Sequence, residues 1–195
     1  MLKAKLKNYN LILASASPRR QKFFKDLDLD FKVQLKPVIE EYPQSLRHFE
    51  ISDYLAQLKS LPFKENLKDQ DILVTSDTIV WHNEKAIGKP RDKAEAFQII
   101  KSFSDATHEV ITSVCFTTKI TQKTVSAVTK VTFKALTDDE IHYYLEHFNP
   151  YDKAGAYGIQ DWIGHVAITK IEGSYYNVMG LPTHLVYESL LEIVN

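Results

Sequence analysis

The stretch ILVTSDTIVWHNEKAIGKPRD, from Ile72 to Asp92, constrains this chain most. Ile72, Leu73 and Val74 form a short apolar run of the kind found in buried strands. The run breaks at Ser76-Asp77-Thr78, and Ile79-Val80-Trp81 then resumes the apolar pattern. A carboxylate at such a break either caps a turn or leaves the end of a rigid strand and points beyond it. Ligands of α/β folds bind beyond the carboxyl ends of strands. Lys89, between Gly88 and Pro90, places a positive charge on a stiff loop a short way downstream. An acid and a base displayed together suggest a phosphate substrate with a metal ion.

At 195 residues the chain fits one domain or a single two-lobed unit spanning residues 1–195, burying roughly 70% of its unfolded surface. A net charge of −1 gives no general attraction to nucleic acid or to an anionic membrane, so any phosphate site must be built locally. Cys115 is the only cysteine, which excludes an intrachain disulfide and favours a reducing cytoplasm. The apolar run near the start, Leu11 to Ala14, is far shorter than the about 7–15 residues of a signal peptide or the about 20 of a spanning helix.

Leu11 to Ala14 reads as a buried strand, followed by a tight Ser15-Ala16-Ser17 loop. Ser17 then Pro18 is a helix start, with a hydroxyl at the cap and proline at the first helical position. Phe23, Phe24 and Leu27 continue at helical spacing. Arg19 and Arg20 therefore fall in the first turn, where the helix already carries partial positive charge and unpaired N–H groups. Either both are solvated, or an anion such as phosphate binds the arginines and the helix end together.

Phe31 to Val38 is expected to be a second strand, ending in Glu40-Glu41, which serve as metal ligands or form a solvated turn. Tyr54, Leu55 and Leu58 mark an amphipathic helix beside Lys59, whose ammonium snorkels to water or reaches the same pocket as the arginines. Asp92 with Glu95 predicts a capped helix bearing Phe97, Ile100 and Phe103, and Thr137 with Glu140 another bearing Ile141, Tyr144, Leu145 and Phe148. Between them, His108–Lys119 and Thr124–Lys134 read as an antiparallel pair of strands. Tyr151 to Gln160 is dense in small residues, either a plain loop or a backbone able to approach a ligand closely. His165 to Ile171 is expected to be a strand, Gly173 to Gly180 a connector, and Pro182 onward a closing helix.

No Walker-type phosphate loop, dinucleotide fingerprint or nucleophile elbow is present. The seven histidines show no zinc spacing, and each reads more readily as a surface or core residue. What remains is a set of hard-metal ligands and cations: Asp77, Glu40, Arg19, Arg20, Lys59, Lys89 and Lys153. Oxygen ligands together with phosphates suit magnesium or manganese.

LASASPRR (Leu13–Arg20), SDTIV (Ser76–Val80), GKPRD (Gly88–Asp92), THEV (Thr107–Val110), DKAGAYGIQ (Asp152–Gln160) and IEGSYYNVMGLP (Ile171–Pro182) run in order across nearly the whole chain. Jointly they closely resemble the Maf family of nucleoside triphosphate pyrophosphatases. The resemblance implies an α/β, Maf/ITPase-like fold, a mixed twisted sheet with flanking helices in two lobes around a deep cleft. It also implies a cytoplasmic homodimer and a divalent metal cation, Mg2+ or Mn2+, assisting hydrolysis of a nucleoside triphosphate to its monophosphate and pyrophosphate. Such an enzyme keeps the nucleotide pool clean.

By the same resemblance the catalytic acid falls on Asp77, which with Glu40 or Glu41 would hold the metal. Ser15, Arg19, Arg20, Lys59 and Lys89 would bind substrate. Three positions sort substrates within the family, and Arg19, Thr78 and Gln160 here look like the branch acting on dTTP and UTP. The branch preferring 7-methyl-GTP carries a bulky aromatic, a glutamine and a glutamate there. This chain departs with Ser76 for the usual alanine and with Asp161-Trp162 after Gln160, so Trp162 bears on the base pocket. The alternatives are the same reaction on 7-methyl-GTP or another purine, and a non-catalytic nucleotide sensor in cell division.

Overall fold

Local signals set most element boundaries in the computed structural model, which describes residues 1–195. In chain order the elements are α1 (Leu2–Lys5), β1 (Asn10–Leu13), α2 (Pro18–Asp26), β2 (Lys32–Val33), α3 (Phe49–Leu58), β3 (Asp71–His82), β4 (Lys85–Ile87) and α4 (Lys93–Phe103). They continue with β5 (Thr107–Thr117), β6 (Gln122–Phe133), α5 (Asp138–Phe148), α6 (Trp162–Ala167), β7 (Ile168–Glu172), α7 (Tyr175–Val178) and α8 (Thr183–Ile193). The strands form one seven-stranded sheet in the order β2-β1-β3-β5-β6-β7, with β4 beside β3. The β1–β2 and β1–β3 pairs are parallel, whereas β3–β4 and β6–β7 are antiparallel. Only four residues, with the Thr118 N–H bonded to the Thr121 carbonyl at 2.9 Å, join β5 to β6. A link that short imposes an antiparallel pair. The sheet is therefore mixed, with helices flanking it.

The expected caps are in place. The Ser17 hydroxyl accepts the Arg20 N–H, with Pro18 opening α2. Asp92 caps α4 through the Glu95 N–H, and Thr137 with Glu140 forms a complete capping box on α5.

The chain divides into two compact units. The first comprises residues 1–77, 112–126 and 180–195. Ile12 and Leu13 of β1 lie in register with Leu73 and Val74 of β3, and all four are buried. Phe63 and Leu67 pack with Ile12 and Leu73, and Phe23 and Phe24 of α2 are buried as their spacing requires. The second unit comprises residues 78–111 and 127–179. Its core gathers Val80, Ile100, Phe103, Val131, Phe133, Ile141 and Tyr144 from strands and helices alike.

Four boundaries differ from the sequence expectation. The Ser76-Asp77-Thr78 break is no break, because β3 runs unbroken through it. Asp77 stays in the strand and is paired as described below. Thr75, just before the triplet, donates Oγ1 to the Ala56 carbonyl at 2.6 Å, while the Ser76 hydroxyl is buried without a hydrogen-bond partner. The second strand is only Lys32–Val33, not Phe31–Val38. Its partner β1 ends at Leu13, where the chain turns into α2, so Leu35 and Ile39 remain exposed. His165 lies within the short helix α6, and only Ile168–Glu172 is strand. The Gly173–Gly180 connector contains α7, capped by Ser174.

Candidate active site

Asp77 is the centre of the first unit's polar chemistry. It is 7% exposed, and its carboxylate is ion-paired to an ammonium that it shares with Glu40. Lys59, one residue beyond α3, places Nζ 2.7 Å from Asp77 Oδ1 and 3.1 Å from Glu40 Oε2. Of the two expected fates for Lys59, reaching inward is the one realised. The side chain is only 18% exposed. Glu40 is the partner, while Glu41 is exposed and forms no ion pair.

Arg20 fixes the backbone beside this acid. Its Nη1 donates to the Ser76 carbonyl at 2.8 Å and its Nε to the Gly180 carbonyl at 2.8 Å. Burial lowers the Arg20 guanidinium below its ordinary range and Asp77 pulls it back up, while Arg19 pushes it down and Glu40 up. An arginine remains charged throughout the accessible pH range. Arg19 is half-buried on the same first turn and has no carboxylate partner. Ser15 is buried, and its Oγ accepts the Ser17 N–H at 3.2 Å, tightening the loop into α2. Ser15, Arg19, Arg20, Glu40, Lys59 and Asp77 therefore all belong to one unit.

Thr78, Lys89, Lys153 and Gln160 belong to the other. Thr78 follows Asp77 on β3 and is half-buried. Lys89 is exposed, with no acidic partner. The Gly155 N–H donates to the Gly88 carbonyl at 3.0 Å, which docks the DKAGAYGIQ segment onto the GKPRD loop. The small residues there serve packing: Gly155 has φ of +74°, and a Cβ on it would lie 2.8 Å from Val80 Cγ2. Lys153 is 13% exposed and pairs with Asp152 at 2.8 Å and Asp161 at 3.9 Å. Gln160 is half-buried, and its side-chain amide makes no hydrogen bond within the protein.

Two contacts of the second unit carried no sequence signal. Tyr144 Oη donates to Asp161 Oδ2 at 2.8 Å and accepts the Gly158 N–H at 3.1 Å. His108 Nε2 is 2.7 Å from Tyr157 Oη, with the ring stacked on Phe103 at 4.2 Å between centroids. Burial, with a lesser push from His82, lowers His108 to a pKa of about 3, so the ring is neutral. Capping-box spacing revealed the helix that bears Tyr144, but nothing in the spacing revealed what its hydroxyl holds.

No helix is long and apolar enough to cross a membrane. Comparison with known proteins sets this geometry in a family. A dTTP/UTP pyrophosphatase of Flavobacterium johnsoniae is 62% identical over 194 residues, covering 100% of both chains. One from Christiangramia forsetii is 55% identical over 195 residues, again covering 100% of both. Among solved structures, the Staphylococcus aureus Ham1 protein superposes with a TM-score of 0.43 at 13% identity, over 64% of this chain and 71% of that one. The family described as Maf-like protein matches residues 10–193. With nearly every residue inside that match and full-length relatives above half identity, the chain belongs to the Maf family.

Proposed function

We propose that this protein hydrolyses dTTP and UTP to the monophosphate and pyrophosphate. The observation that carries the reading is Asp77, a buried carboxylate held 2.7 Å from Lys59 Nζ, with Arg20 bonded to the carbonyl of the residue before it. The full-length relatives named for that activity support it.

Arg19, Arg20, Lys59 and Lys89 offset the charge of the triphosphate, with Ser15 and the start of α2 offering hydrogen bonds to phosphate oxygens. Asp77 orients a water and takes its proton. The water oxygen bonds to the α-phosphorus as the bond to the α–β bridging oxygen breaks, and pyrophosphate leaves with that electron pair. General-base assistance of this kind contributes about 10²–10⁴-fold. By this reading Thr78 and Gln160 would meet the nucleoside. The Gln160 amide offers both a donor and an acceptor, matching the O4 and N3–H edge of uracil or thymine.

Glu40 and Asp77 are the residues that would hold a magnesium or manganese ion. Their oxygens already meet at a single positive charge, 3.1 and 2.7 Å from Lys59 Nζ, which fits a hard cation. No cluster of three or more His, Cys, Asp or Glu is placed to enclose an ion. Phosphate oxygens and water would complete the coordination, as is usual for magnesium. When bound, the ion supplies charge neutralisation on the phosphates.

The same reading places the protein in the cytoplasm as a homodimer. Cys115 is its sole cysteine and is buried, and Leu35 and Ile39 leave apolar surface exposed.

Pyrophosphate release from dTTP, UTP, 7-methyl-GTP and ITP tests the reading. Turnover should be fastest with dTTP and UTP. A preference for either purine nucleotide would transfer the reaction to that substrate, and nucleotide binding without any metal-dependent turnover would replace the enzyme with a sensor.

A further inference from the structure

One phenol bonds the residues on both sides of Ile159 and Gln160. Tyr144 is fully buried in α5, stacked on Phe148 at 5.3 Å, so its ring cannot turn away. Its hydroxyl spends its proton on Asp161 Oδ2 and a lone pair on the Gly158 N–H, bracketing Ile159 and Gln160 from both sides. The Asp161 N–H closes the turn on the Gly158 carbonyl at 3.0 Å. Gly158 lies directly beneath both side chains: a Cβ there would be 2.6 Å from Asp161 Oδ2 and 2.9 Å from Gln160 Nε2. The Gln160 amide and the Asp161 carboxylate thus crowd one glycine, and the position of one limits that of the other.

Burial and the neighbouring Asp161 carboxylate push the Tyr144 phenol well above its usual range, so it remains a donor at every working pH. Lys153 Nζ, 3.9 Å from the same Oδ2, adds positive charge beside Asp161. Gly158 and Asp161 on either side of Gln160 are bonded, while the Gln160 amide is left open. An open amide on an immobilised turn suits a ligand, because no internal bond must break when the ligand arrives.

We propose that Tyr144, acting through Asp161 and the Gly158 amide, is a positioning residue that fixes the Gln160 amide and thereby sets the choice of base. This rests on the reading of Gln160 as the group that meets the base. Cytosine presents an amino group and a bare nitrogen where uracil presents O4 and N3–H. A fixed amide distinguishes the two, whereas a loose one rotates to suit either.

The test compares KM and kcat for UTP and CTP in wild type, Tyr144→Phe, Gln160→Ala and the double variant. In Tyr144→Phe, KM for UTP should rise about tenfold with kcat changed less than threefold, and the UTP-over-CTP preference should shrink by a similar factor. In the Gln160→Ala background the Tyr144 change should add nothing further to KM. Asp161→Ala should reproduce the loss, and Asp161→Asn, which keeps an oxygen to accept from Tyr144, should restore it. An unaltered UTP/CTP ratio in Tyr144→Phe, or effects that simply add in the double variant, would overturn the proposal. Should Tyr144→Phe not fold, the two Asp161 variants decide it by the same ratio. A wild-type protein inactive on dTTP and UTP would instead sink the proposed function.

Discussion

Lys59 Nζ lies 2.7 Å from Asp77 Oδ1, although 18 residues separate the two in the chain. The pair joins the end of α3 to the middle of β3 and gives a carboxylate at 7% exposure a charged partner. Glu40 shares the same ammonium at 3.1 Å. One positive charge between two acids is a cluster with little tolerance for editing.

Asp77→Asn keeps an oxygen for Lys59 and so should fold with a nearly unchanged melting temperature. Pyrophosphate release from dTTP should fall at least about 100-fold, the loss expected when a general base is removed. Activity within twofold of wild type would remove Asp77 from the chemistry.

Lys59→Met leaves two carboxylates facing each other without their shared cation. Removing one partner of a fully buried pair costs about 3–5 kcal/mol. Glu40 is 55% exposed and so partly solvated, which reduces the expected loss to about 1–2 kcal/mol at low salt. Urea unfolding measures it. Millimolar magnesium should stabilise the variant more than wild type, because the ion can stand where the ammonium stood.

Arg20→Lys retains the charge but loses the fork. A single ammonium cannot reproduce the Nε and Nη1 bonds to the Gly180 and Ser76 carbonyls. One carbonyl left unpaired costs about 1–3 kcal/mol, seen as a lowered melting temperature at pH 7. A variant as stable as wild type would show that a lysine can satisfy both.

His108 gives the protein a pH-dependent term of definite sign. Its folded pKa of about 3 lies below the ordinary 6.5 because the charged ring would be desolvated. The contribution is therefore fully present above pH 6.5 and is lost as pH falls from there toward 3, by up to about 1.4 kcal/mol per pH unit. Urea midpoints compared at pH 7.5 and 5 should fall less in His108→Gln than in wild type. Equal slopes would show that other groups govern the acid limb.

Much of the local structure was legible. Ser17-Pro18, Asp92 with Glu95 and Thr137 with Glu140 each opened the helix they announced. Leu11–Leu13 and Ile72–Val74 are buried strands because apolar runs of that length have nowhere else to go. Errors fell where a partner decided the outcome. Phe31–Val38 has strand composition, but β1 ends at Leu13 and leaves most of it without a ladder. The polar triplet at Ser76 looked like a strand end because the partner of its Asp77, Lys59, lies far back in the chain.

The same division applies to the candidate site. Chain order alone determined which residue types were available, where the helix starts would stand, and that Arg19 and Arg20 would crowd one of them. Folding decided that Lys59 turns inward, that Glu40 rather than Glu41 meets it, and that the Tyr144 hydroxyl grips the turn beside Gln160. Caps and apolar periods act over three or four residues, so they can be read along the chain. The direction of a side chain is set by whatever packs against it, and here those neighbours come from 17 to 19 positions away.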